Sequence, residues 1–318
     1  MGRQVETVKR AQWLLERTEA LIHLSPYYPI RTLPLGPQQQ FGVGAAQVFG
    51  ERTGEQRLPM HGVAGEWQVQ HLAWDSSYFG TPTYRLATGL FEKTAQPAQL
   101  AAAAAELRQQ LASQGSFYGF SIVPAEDLQL LQALTGGGWR LIETRLNFYC
   151  LVAEARLPPA VPVRLSRPDE ADLIGRIASA ARNPFDRFHA DSWFGNDRAD
   201  AFLARYAQAA VEGSYADAVL LPDEPDLPID SFLAISDLPE LPDLPGSAAS
   251  RILLTAVGPA NRGWHHKLVA ETVRRAQFLS LPLVFMTTQA TNGAVFRTCE
   301  KLGFRLGNAT HVLACHAA

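Results

Sequence analysis

The sequence predicts an α/β (α+β) protein, in which a mixed central sheet is flanked by helices and the chain forms two lobes. Its 318 residues suggest about two domains. In the second half, the residue pattern predicts a strand, two helices, three strands, a helix, a strand, a helix and a final strand. Three strands in hairpin order followed by alternating helices and strands are typical of a mixed sheet with helices on both faces.

Composition and charge exclude several classes of protein. Hydrophobic residues make up 47% of the chain and charged residues 19%, which is ordinary for a globular protein. A net charge of -3 gives no general attraction to nucleic acid or an anionic membrane, so neither is expected as a partner, and any anion site must be local. No apolar run approaches the length of a membrane span, and the first residues lack the apolar segment of a signal peptide. Three cysteines without zinc-site spacing form no disulfide framework, which predicts a cytoplasmic protein.

Residues 1–66 are interpreted as an N-terminal leader, partly helical and partly irregular. From Val5 to Leu24 the apolar residues lean to one face, which predicts a helix. Residues 26–66 are rich in Pro, Gly and Gln and show no clear period, so we expect them to be irregular.

Residues 67–160 form the first predicted lobe. WQVQHLAW and YRLATGLF alternate like strands around a turn, and the Ala/Leu-rich segment from Gln99 to Gln114 favours a helix. FYGFSIV predicts a strand, residues 125–134 predict a helix that ends at Gly136, and WRLIETRLNFYCLV predicts one or two strands. Prolines between residues 158 and 162 then indicate a linker.

Residues 161–318 form the second predicted lobe. It opens with a strand, a turn and a helix whose first turn is acidic, which suits the helix dipole. A second helix covers residues 199–213, and DAVLL, SFLAIS and RILLTAV follow as strands between acidic, Pro-rich connectors. A helix over residues 267–279, the strand LVFMTT, a helix over residues 292–302 and a strand around THVLACH complete the lobe.

The two halves end on a similar pattern. LQALTGGGWRLIETRLNFYCLV closes the first half, and CEKLGFRLGNATHVLACH closes the second. Each segment reads as a helix, a glycine stop, an aromatic-Arg-Leu triplet and a strand. A repeated pattern at the end of both halves is what a duplicated domain shows.

One turn in the second half concentrates positive charge. The strand RILLTAV leads through Val257-x-Pro259-x-x-Arg262-Gly263 into an amphipathic helix, whose N-terminus offers free main-chain N–H groups to a phosphate. Four side chains cluster there: Arg262, His265, His266 and Lys267. We interpret the turn as a local pyrophosphate site, with a solvated helix start as the alternative. Adjacent helical histidines point about 100° apart and have no carboxylate at ligand spacing, so no metal is expected.

The order of these motifs resembles a GCN5-related N-acetyltransferase (GNAT) domain. V-x-P-x-x-R-G is similar to the start of the family's coenzyme A pyrophosphate loop, and N-x₆-C-E-K-L-G-F is similar to its late helix. NPFDRFHAD, ARYAQAAVEGSYADAVLL, MTTQATN and WDSSYFG further resemble the TDP-fucosamine acetyltransferase group. That group joins an incomplete GNAT-like lobe, here 67–160, to a complete GNAT domain, here 161–318. The resemblance covers the chain from about Trp67 onward.

The resemblance implies acetyl transfer from acetyl-CoA to the amine of a small molecule, with a nucleotide-linked amino sugar as one acceptor. Main-chain N–H groups near Thr255, Ala256 and Val257 would bind the thioester carbonyl. The loop that includes Arg262, Gly263, Trp264, His265, His266 and Lys267 would hold the pyrophosphate, and Asn292 would contact the pantetheine arm. Asn292 is also suited to cap the helix that follows it, and the two roles are compatible.

The resemblance also implies where the acceptor would bind. Arg187, His189 and Asp191 lie in a polar, aromatic-flanked segment where the family places acceptor contacts; a loop packed on the core is an equal alternative. Thr288 and Gln289 follow the C-terminal end of a strand, where α/β sheets commonly place ligands.

Two departures from the family pattern keep other functions open. The loop lacks the second and third glycines of the family, and Cys299 stands where a tyrosine normally protonates the leaving thiolate. A thiol with an ordinary pKa near 8.5 can serve as a general acid, but a small core residue is the alternative interpretation. A GNAT-fold protein that has lost catalysis and acts as a binding or scaffolding module is therefore the second hypothesis, and an acyltransferase that uses another CoA thioester is the third. The oligomeric state is open, with a homodimer among the options.

Overall fold

The computed structural model describes residues 2–113 and 115–317 and, from residue 8 onward, their side chains. Gln114, the end of a predicted helix, lies outside the described residues. The chain splits into two compact units. Unit 1 combines the residues up to Thr144 with those from Asn308 onward, and unit 2 is Arg145–Gly307. None of the helices formed by the described residues is long and apolar enough to cross a membrane.

The α-helices occur in both units and range from four to sixteen residues. In chain order they are α1 (Gly2–Glu16), α2 (Thr18–Leu21), α3 (Leu35–Val48), α4 (Ala73–Phe79), α5 (Pro97–Ala112), α6 (Leu128–Gly136), α7 (Ala171–Ala180), α8 (Arg187–Ala190), α9 (Asn196–Val211), α10 (Trp264–Phe278) and α11 (Gly293–Leu302). Short 3₁₀ turns lie at Ile22–Leu24, Val152–Glu154, Pro168–Glu170 and Pro259–Asn261.

The strands likewise belong to both units. In chain order they are β1 (Glu55–Pro59), β2 (Gly65–His71), β3 (Thr83–Phe91), β4 (Phe117–Pro124), β5 (Arg140–Leu151), β6 (Val163–Leu165), β7 (Ala218–Pro222), β8 (Ser231–Leu238), β9 (Ala249–Val257), β10 (Leu283–Gln289) and β11 (Arg305–Ala317).

Each unit contains a mixed sheet. In unit 1 the strand order is β1-β2-β3-β4-β11, and in unit 2 it is β5-β10-β9-β8-β7-β6. One neighbouring pair is parallel in each unit, β3 with β4 and β9 with β10, and the other pairs are antiparallel. Helices α5 and α10 connect the parallel pairs. The predicted α/β class with a mixed sheet flanked by helices is therefore confirmed.

In unit 2 the sheet is covered on both faces. Successive residues of a strand point to opposite faces, and on β8 Phe232 joins one apolar cluster while Leu233 joins the other. The first cluster includes α7 and α9 through Ile174 and Ala207. The second includes α10 and α11 through residues such as Val269. This layering holds the ends of β9 and β10 next to the start of α10.

In unit 1 the helices also cover both faces. Helices α5 and α6 pack on one face in a cluster with Trp67 and Phe91. The other face carries a smaller cluster that joins Leu90 of β3 to Leu21 and to Val43 of α3. The N-terminal helices are therefore part of the layered core of unit 1.

The N-terminal segment is more regular than we expected. Residues 26–66, predicted to be irregular, contain α3, β1 and the start of β2. Helix α3 has weak helix-forming residues, including Gly42, whose missing Cβ would clash with the carbonyl oxygen of Leu21. Close packing against the preceding helix, not local propensity, therefore fixes this helix.

The predicted boundary between the two lobes lies at residues 160 and 161. The compact units instead divide the chain after Thr144 and after Gly307. Arg145–Leu151 of β5 pairs with β10 and belongs to unit 2, whereas β11 pairs with β4 and belongs to unit 1 from Asn308 onward. The last strand of each half therefore completes the sheet of the other unit. The prolines at 158–162 lie inside unit 2, just before β6.

Candidate functional site

The parallel strands of unit 2 separate at their C-terminal ends. Pairing between β9 and β10 ends at Ile252↔Met286, and beyond it the described residues form no further β9–β10 pair. Leu254–Val257 stays paired with β8, and Thr287–Gln289 stays paired with β5. We call the space between these two segments the unit 2 wedge. Main-chain groups on one edge of β9 thus face a gap in place of a neighbouring strand.

A β-bulge lies where the wedge begins. On β8, Ala234 pairs with Leu254 and Ile235 pairs with Ile252, which leaves Leu253 as an extra residue on β9. A bulge bends its strand and increases the local twist. The bend at Leu253 therefore accounts for the departure of β9 from β10.

The three predicted thioester-binding positions lie on the wedge segment of β9. Ala256 is buried in the core, and Thr255 and Val257 are half-buried. The Thr255 hydroxyl donates a hydrogen bond of 3.0 Å to the carbonyl oxygen of Phe232 on β8. The Thr255 side chain is thus held by the sheet, and what this segment offers to the wedge is its main chain.

The turn after β9 is fixed by two polar side chains that the sequence did not single out. The Asp230 carboxylate accepts a hydrogen bond of 2.8 Å from the main-chain N–H of Ala260, and it lies where a Cβ on Gly258 would be. Asn261 is buried, and its side-chain oxygen accepts a hydrogen bond of 2.7 Å from the Ser231 hydroxyl. The one signal for Asn261 was its place next to Arg262 in the motif.

The turn leaves the N-terminus of α10 without a side-chain cap. Gly263 is the N-cap residue, with φ +92°, a conformation that favours glycine. No side chain accepts the first N–H groups of the helix at this cap, so these donors and the positive end of the helix dipole are available to an anion. Arg262 is exposed beside them.

The bulky Trp264, which follows Gly263 in the loop, points into the protein. Trp264 is only 4% exposed and packs in the core with Leu268. The Lys267 ammonium lies 4.3 Å from the centre of the Trp264 ring and 3.2 Å from the Glu224 carboxylate. The side chain of Trp264 therefore leaves the start of α10 open.

The two histidines of the turn add no positive charge near neutral pH. Burial, with a smaller effect of His266, lowers the pKa of His265 to about 4, and its Nδ1 lies 3.2 Å from the Thr298 hydroxyl. Burial and the nearby Lys301 also lower the pKa of His266. Of the four predicted cations, Arg262 and Lys267 therefore carry the charge.

Asn292 and Cys299 lie on or next to α11. The Asn292 side chain caps α11 by accepting a hydrogen bond of 3.2 Å from the N–H of Val295; its contact with a pantetheine arm stays a prediction. Cys299 is fully buried in the core, and burial raises the pKa of its thiol to about 12. This environment favours the core interpretation of Cys299, since a sealed thiol with a raised pKa is a poor proton donor.

His189 of the predicted acceptor segment is held between two carboxylates. It lies 2.7 Å from Asp186 and 3.0 Å from Asp200, and its side chain is almost completely buried. Burial alone would lower its pKa, but the hydrogen bonds to Asp200 and Asp186 raise it overall. Because both ring nitrogens are used, His189 supports the local structure, and its contact with an acceptor stays a prediction.

The other acceptor-segment residues are also engaged within unit 2. The Arg187 guanidinium lies 4.4 Å from the centre of the Phe188 ring, and buried Asp191 accepts a hydrogen bond of 3.2 Å from the main-chain N–H of Trp193. The structure places both in or next to α8, and their part in binding an acceptor stays a prediction.

Thr288 and Gln289 lie at the end of β10, on the side of the wedge opposite β9. Thr288 is buried, and the Gln289 side-chain oxygen accepts a hydrogen bond of 2.8 Å from the Asn183 amide. Asn183 follows α7 and opens the segment NPFDRFHAD, in which only Arg187, His189 and Asp191 were predicted to contact an acceptor. Among the described residues, no group of three or more His, Cys, Asp or Glu side chains is arranged to hold a metal ion.

Comparisons with known proteins identify the class of fold. No protein-family model and no curated protein matches this sequence. Among solved structures, a tandem GNAT protein from the clavulanic acid biosynthesis pathway matches with a TM-score of 0.51 and 14% identity, over 87% of each chain. A functionally unknown conserved protein from Staphylococcus epidermidis matches with a TM-score of 0.50 and 13% identity, over 82% of this chain and 93% of that one.

A third structure links the fold to a named activity in another protein. A GCN5-related glucosamine N-acetyltransferase region of a fungal GH3 β-N-acetylglucosaminidase matches with a TM-score of 0.53 and 13% identity, over 79% of this chain and 31% of that one. At such identities the likeness shows the fold alone. The chain has the GNAT fold, as its motifs predict, and the TDP-fucosamine subgroup stays a prediction.

Proposed function

We propose that the chain is an N-acetyltransferase that moves an acetyl group from acetyl-CoA to the amine of a small molecule, at the unit 2 wedge. One observation carries the proposal: the parallel strands separate next to a helix N-terminus that no side chain caps. Acetyl-CoA would supply the acetyl group as a reactive thioester.

The residues around the wedge fit the two ends of this co-substrate. A pantetheine arm carries amides, and the free edge of Leu253–Val257 can hydrogen-bond to them as a neighbouring strand would. The N-terminus of α10, with exposed Arg262 beside it, suits the pyrophosphate. The bulky side chain of Trp264 is buried in the core, while His265 and Lys267 stand at the positions of the missing loop glycines.

The chemistry that we assign to the chain is orientation and charge stabilisation. Main-chain N–H groups among Thr255, Ala256 and Val257 would donate to the thioester carbonyl oxygen as negative charge develops on it. Holding the amine and the thioester side by side removes much of the entropic barrier to direct attack. The amine would form the C–N bond as the C–S bond breaks. Because Cys299 is sealed in the core, water would take the amine proton and protonate the departing CoA thiolate.

The acceptor that we propose is a cationic or amino-sugar amine, with a nucleotide-linked amino sugar as the leading candidate. Two connectors of unit 2, over residues 222–230 and 237–249, carry acidic residues and no Lys or Arg. Such a surface attracts an ammonium group by its charge. The name of the matched glucosamine N-acetyltransferase region adds support for the amino-sugar class.

Binding of acetyl-CoA to the full chain is the direct test. At ligand concentrations far above Kd, thermal shift should show stabilisation by about 2–4 kcal/mol. Gly263→Ala forces a side chain into the left-handed region at the start of α10, and we expect Kd to rise about tenfold or more. Gly62→Ala is the matched control, because Gly62 is also exposed, has a positive φ of +72° and has open space around a Cβ.

Three results would separate the hypotheses. Stabilisation that Gly263→Ala reduces by about 1 kcal/mol or more and Gly62→Ala keeps supports the site. No stabilisation at millimolar acetyl-CoA contradicts the enzyme and favours the binding or scaffolding module. Release of free CoA with an amino-sugar amine, followed with a thiol reagent, tests transfer, and a preference for another acyl thioester would move the chain to a different acyltransferase activity.

A further inference from the structure

Unit 1 contains a second place where parallel strands separate. Pairing between β3 and β4 ends at Leu86↔Ser121, although β3 continues to Phe91. A bulge again follows the last pair, because β2 pairs with Leu86 and with Thr88 but skips Ala87. We call the space beyond these pairs the unit 1 wedge.

The two wedges can be matched position by position. On the first strand of each parallel pair, β3 or β9, the third residue after the last paired one is Gly89 in unit 1 and Thr255 in unit 2. After the second strand of each pair, β4 or β10, the sixth residue beyond the last paired one is Asp127 in unit 1 and Asn292 in unit 2. Each of these last two caps the following helix through a hydrogen bond of 3.2 Å from a main-chain N–H. They are equivalent in position and in local role.

In unit 1 a side chain of the same unit links these two positions. Arg17, between α1 and α2, donates hydrogen bonds of 3.0 and 2.5 Å to the Asp127 carboxylate. Its Nε donates a third, of 3.2 Å, to the carbonyl oxygen of Gly89, and its guanidinium lies 4.3 Å from the centre of the Phe91 ring. Arg17 and Asp127 are 3% and 4% exposed, so this ion pair is buried.

The helix that follows β3 also differs at its start. Helix α5 begins with Pro97, which has no main-chain N–H, and the Gln99 side-chain oxygen accepts a hydrogen bond of 3.3 Å from the N–H of Gln96. The corresponding helix in unit 2, α10, has Gly263 as its N-cap and begins with Trp264, which keeps its N–H. The start of α5 therefore offers fewer donors to a phosphate than the start of α10.

We propose that Arg17 takes, in unit 1, the place that the arm of the co-substrate takes in unit 2, so that the chain binds one acyl-CoA and binds it in unit 2. The part about unit 2 rests on the function proposed above. The part about unit 1 rests on Arg17, Asp127 and Gly89 alone: the guanidinium is the permanent occupant of the wedge and holds it closed.

Calorimetry of the full chain with acetyl-CoA tests the number of sites. We expect one equivalent of acetyl-CoA to bind per chain. Its affinity should fall about tenfold or more in Asn292→Ala and stay the same in Gln96→Ala. Two equivalents, or binding that survives Asn292→Ala and disappears in Gln96→Ala, would overturn the inference while keeping an acyl-CoA enzyme. No binding at all would overturn the proposed function, and the experiment on Arg17 then decides the inference about unit 1.

Chemical rescue tests whether Arg17 fills the wedge as a ligand would. We expect Arg17→Ala to lower the melting temperature by about 5 °C or more and ethylguanidinium to restore part of the loss. Ethylammonium should not do so, because it lacks the planar fork that binds a carboxylate through two bonds. Arg10→Ala is the matched control, since Arg10 pairs with Glu66 at 2.9 Å but is partly exposed.

The rescue experiment has a fallback and a clear failure. If Arg17→Ala does not fold, Arg17→Lys takes its place, because it keeps the positive charge but not the planar fork. We expect Arg17→Lys to melt at a lower temperature than the wild type. Ethylguanidinium should raise its melting temperature only slightly. An unchanged melting temperature in both variants, or equal rescue of Arg10→Ala and Arg17→Ala, would contradict a ligand-like role for Arg17.

Discussion

The two units share one construction and differ in what occupies it. Each has a parallel ladder of four pairs, a bulge just after the last pair, and strands that then separate. In unit 1, Arg17 spans the gap between Gly89 and Asp127. In unit 2, Thr255 and Asn292 stand at the equivalent positions, and no side chain among the described residues links them in this way. The fold creates a wedge, and the residues around it decide whether a ligand can use it.

The difference follows from the need of main-chain groups for partners. A buried carbonyl or N–H group left without a hydrogen bond is costly, so a separated strand must find partners among side chains, water or ligands. Unit 1 supplies a partner for Gly89 from its own chain, since Arg17 between α1 and α2 donates to the Gly89 carbonyl oxygen. Unit 2 leaves the edge of β9 to another partner, as a binding site must.

Exchanging the two equivalent cap residues gives the largest expected effect. Asp127→Asn keeps a good N-cap but leaves the buried guanidinium of Arg17 without its carboxylate, so we expect a loss of about 3 kcal/mol in the free energy of unfolding. Asn292→Asp also keeps a good N-cap and breaks no ion pair, so we expect a change within about 0.5 kcal/mol. Urea denaturation of both variants measures the two values.

The two measured losses can contradict the proposed difference between the wedges. If Asp127→Asn and Asn292→Asp cost the same, the Arg17 ion pair contributes little and the unit 1 wedge is not held closed by it. The double variant Arg17→Gln with Asp127→Asn serves as a control, because it removes both charges and should recover part of the loss of the single variant.

The sequence predicted unit 2 better than unit 1 because its signals are local there. The helix stop at Gly303, the strand before Val257 and the cap at Asn292 are all written within a few residues, and the structure confirms these elements. Helix α3 escaped prediction because its packing against Leu21, and not its composition, holds it in place.

The features that separate the two wedges depend on contacts between distant residues. Arg17 lies far along the chain from Asp127, and no periodicity could connect them. The pairing of β5 with β10 and of β11 with β4 also depends on distant residues. The similar pattern at the end of the two halves predicts two similar strands but not the strands that they pair with. The positions of the turn residues were predictable from the motif, while the inward direction of Trp264 required the structure.

The second prediction concerns His265, which belongs to unit 2. Its pKa of about 4 lies below the ordinary value of 6.5, so between these pH values the unfolded chain binds a proton that the folded chain does not. The stability that depends on neutral His265 is therefore present above pH 6.5 and is lost as the pH falls toward 4. His265→Gln should remove on the order of 2 kcal/mol of this pH dependence.

Denaturation curves at several pH values measure this effect. His61→Gln in unit 1 provides the control, because it replaces an exposed histidine in place of a buried one. His189 acts in the opposite sense, because its raised pKa favours the folded state at low pH. An unchanged slope in His265→Gln would mean that His265 is hydrated in solution and that the start of α10 is more open than in the structure.

The smallest expected effect concerns the cap of α5. Gln99→Ala removes the side-chain oxygen that accepts the N–H of Gln96 at 3.3 Å, and we expect a loss of about 0.5 kcal/mol in the free energy of unfolding. Gln96→Ala removes an exposed amide that donates to the carbonyl oxygen of Thr94, and it should cost less. Since both variants leave Arg17 in the unit 1 wedge, the affinity for acetyl-CoA should stay the same in both. A large change in that affinity would mean that the start of α5 takes part in binding, and the contrast between the two units would then fail at the helix start even if it held at Arg17.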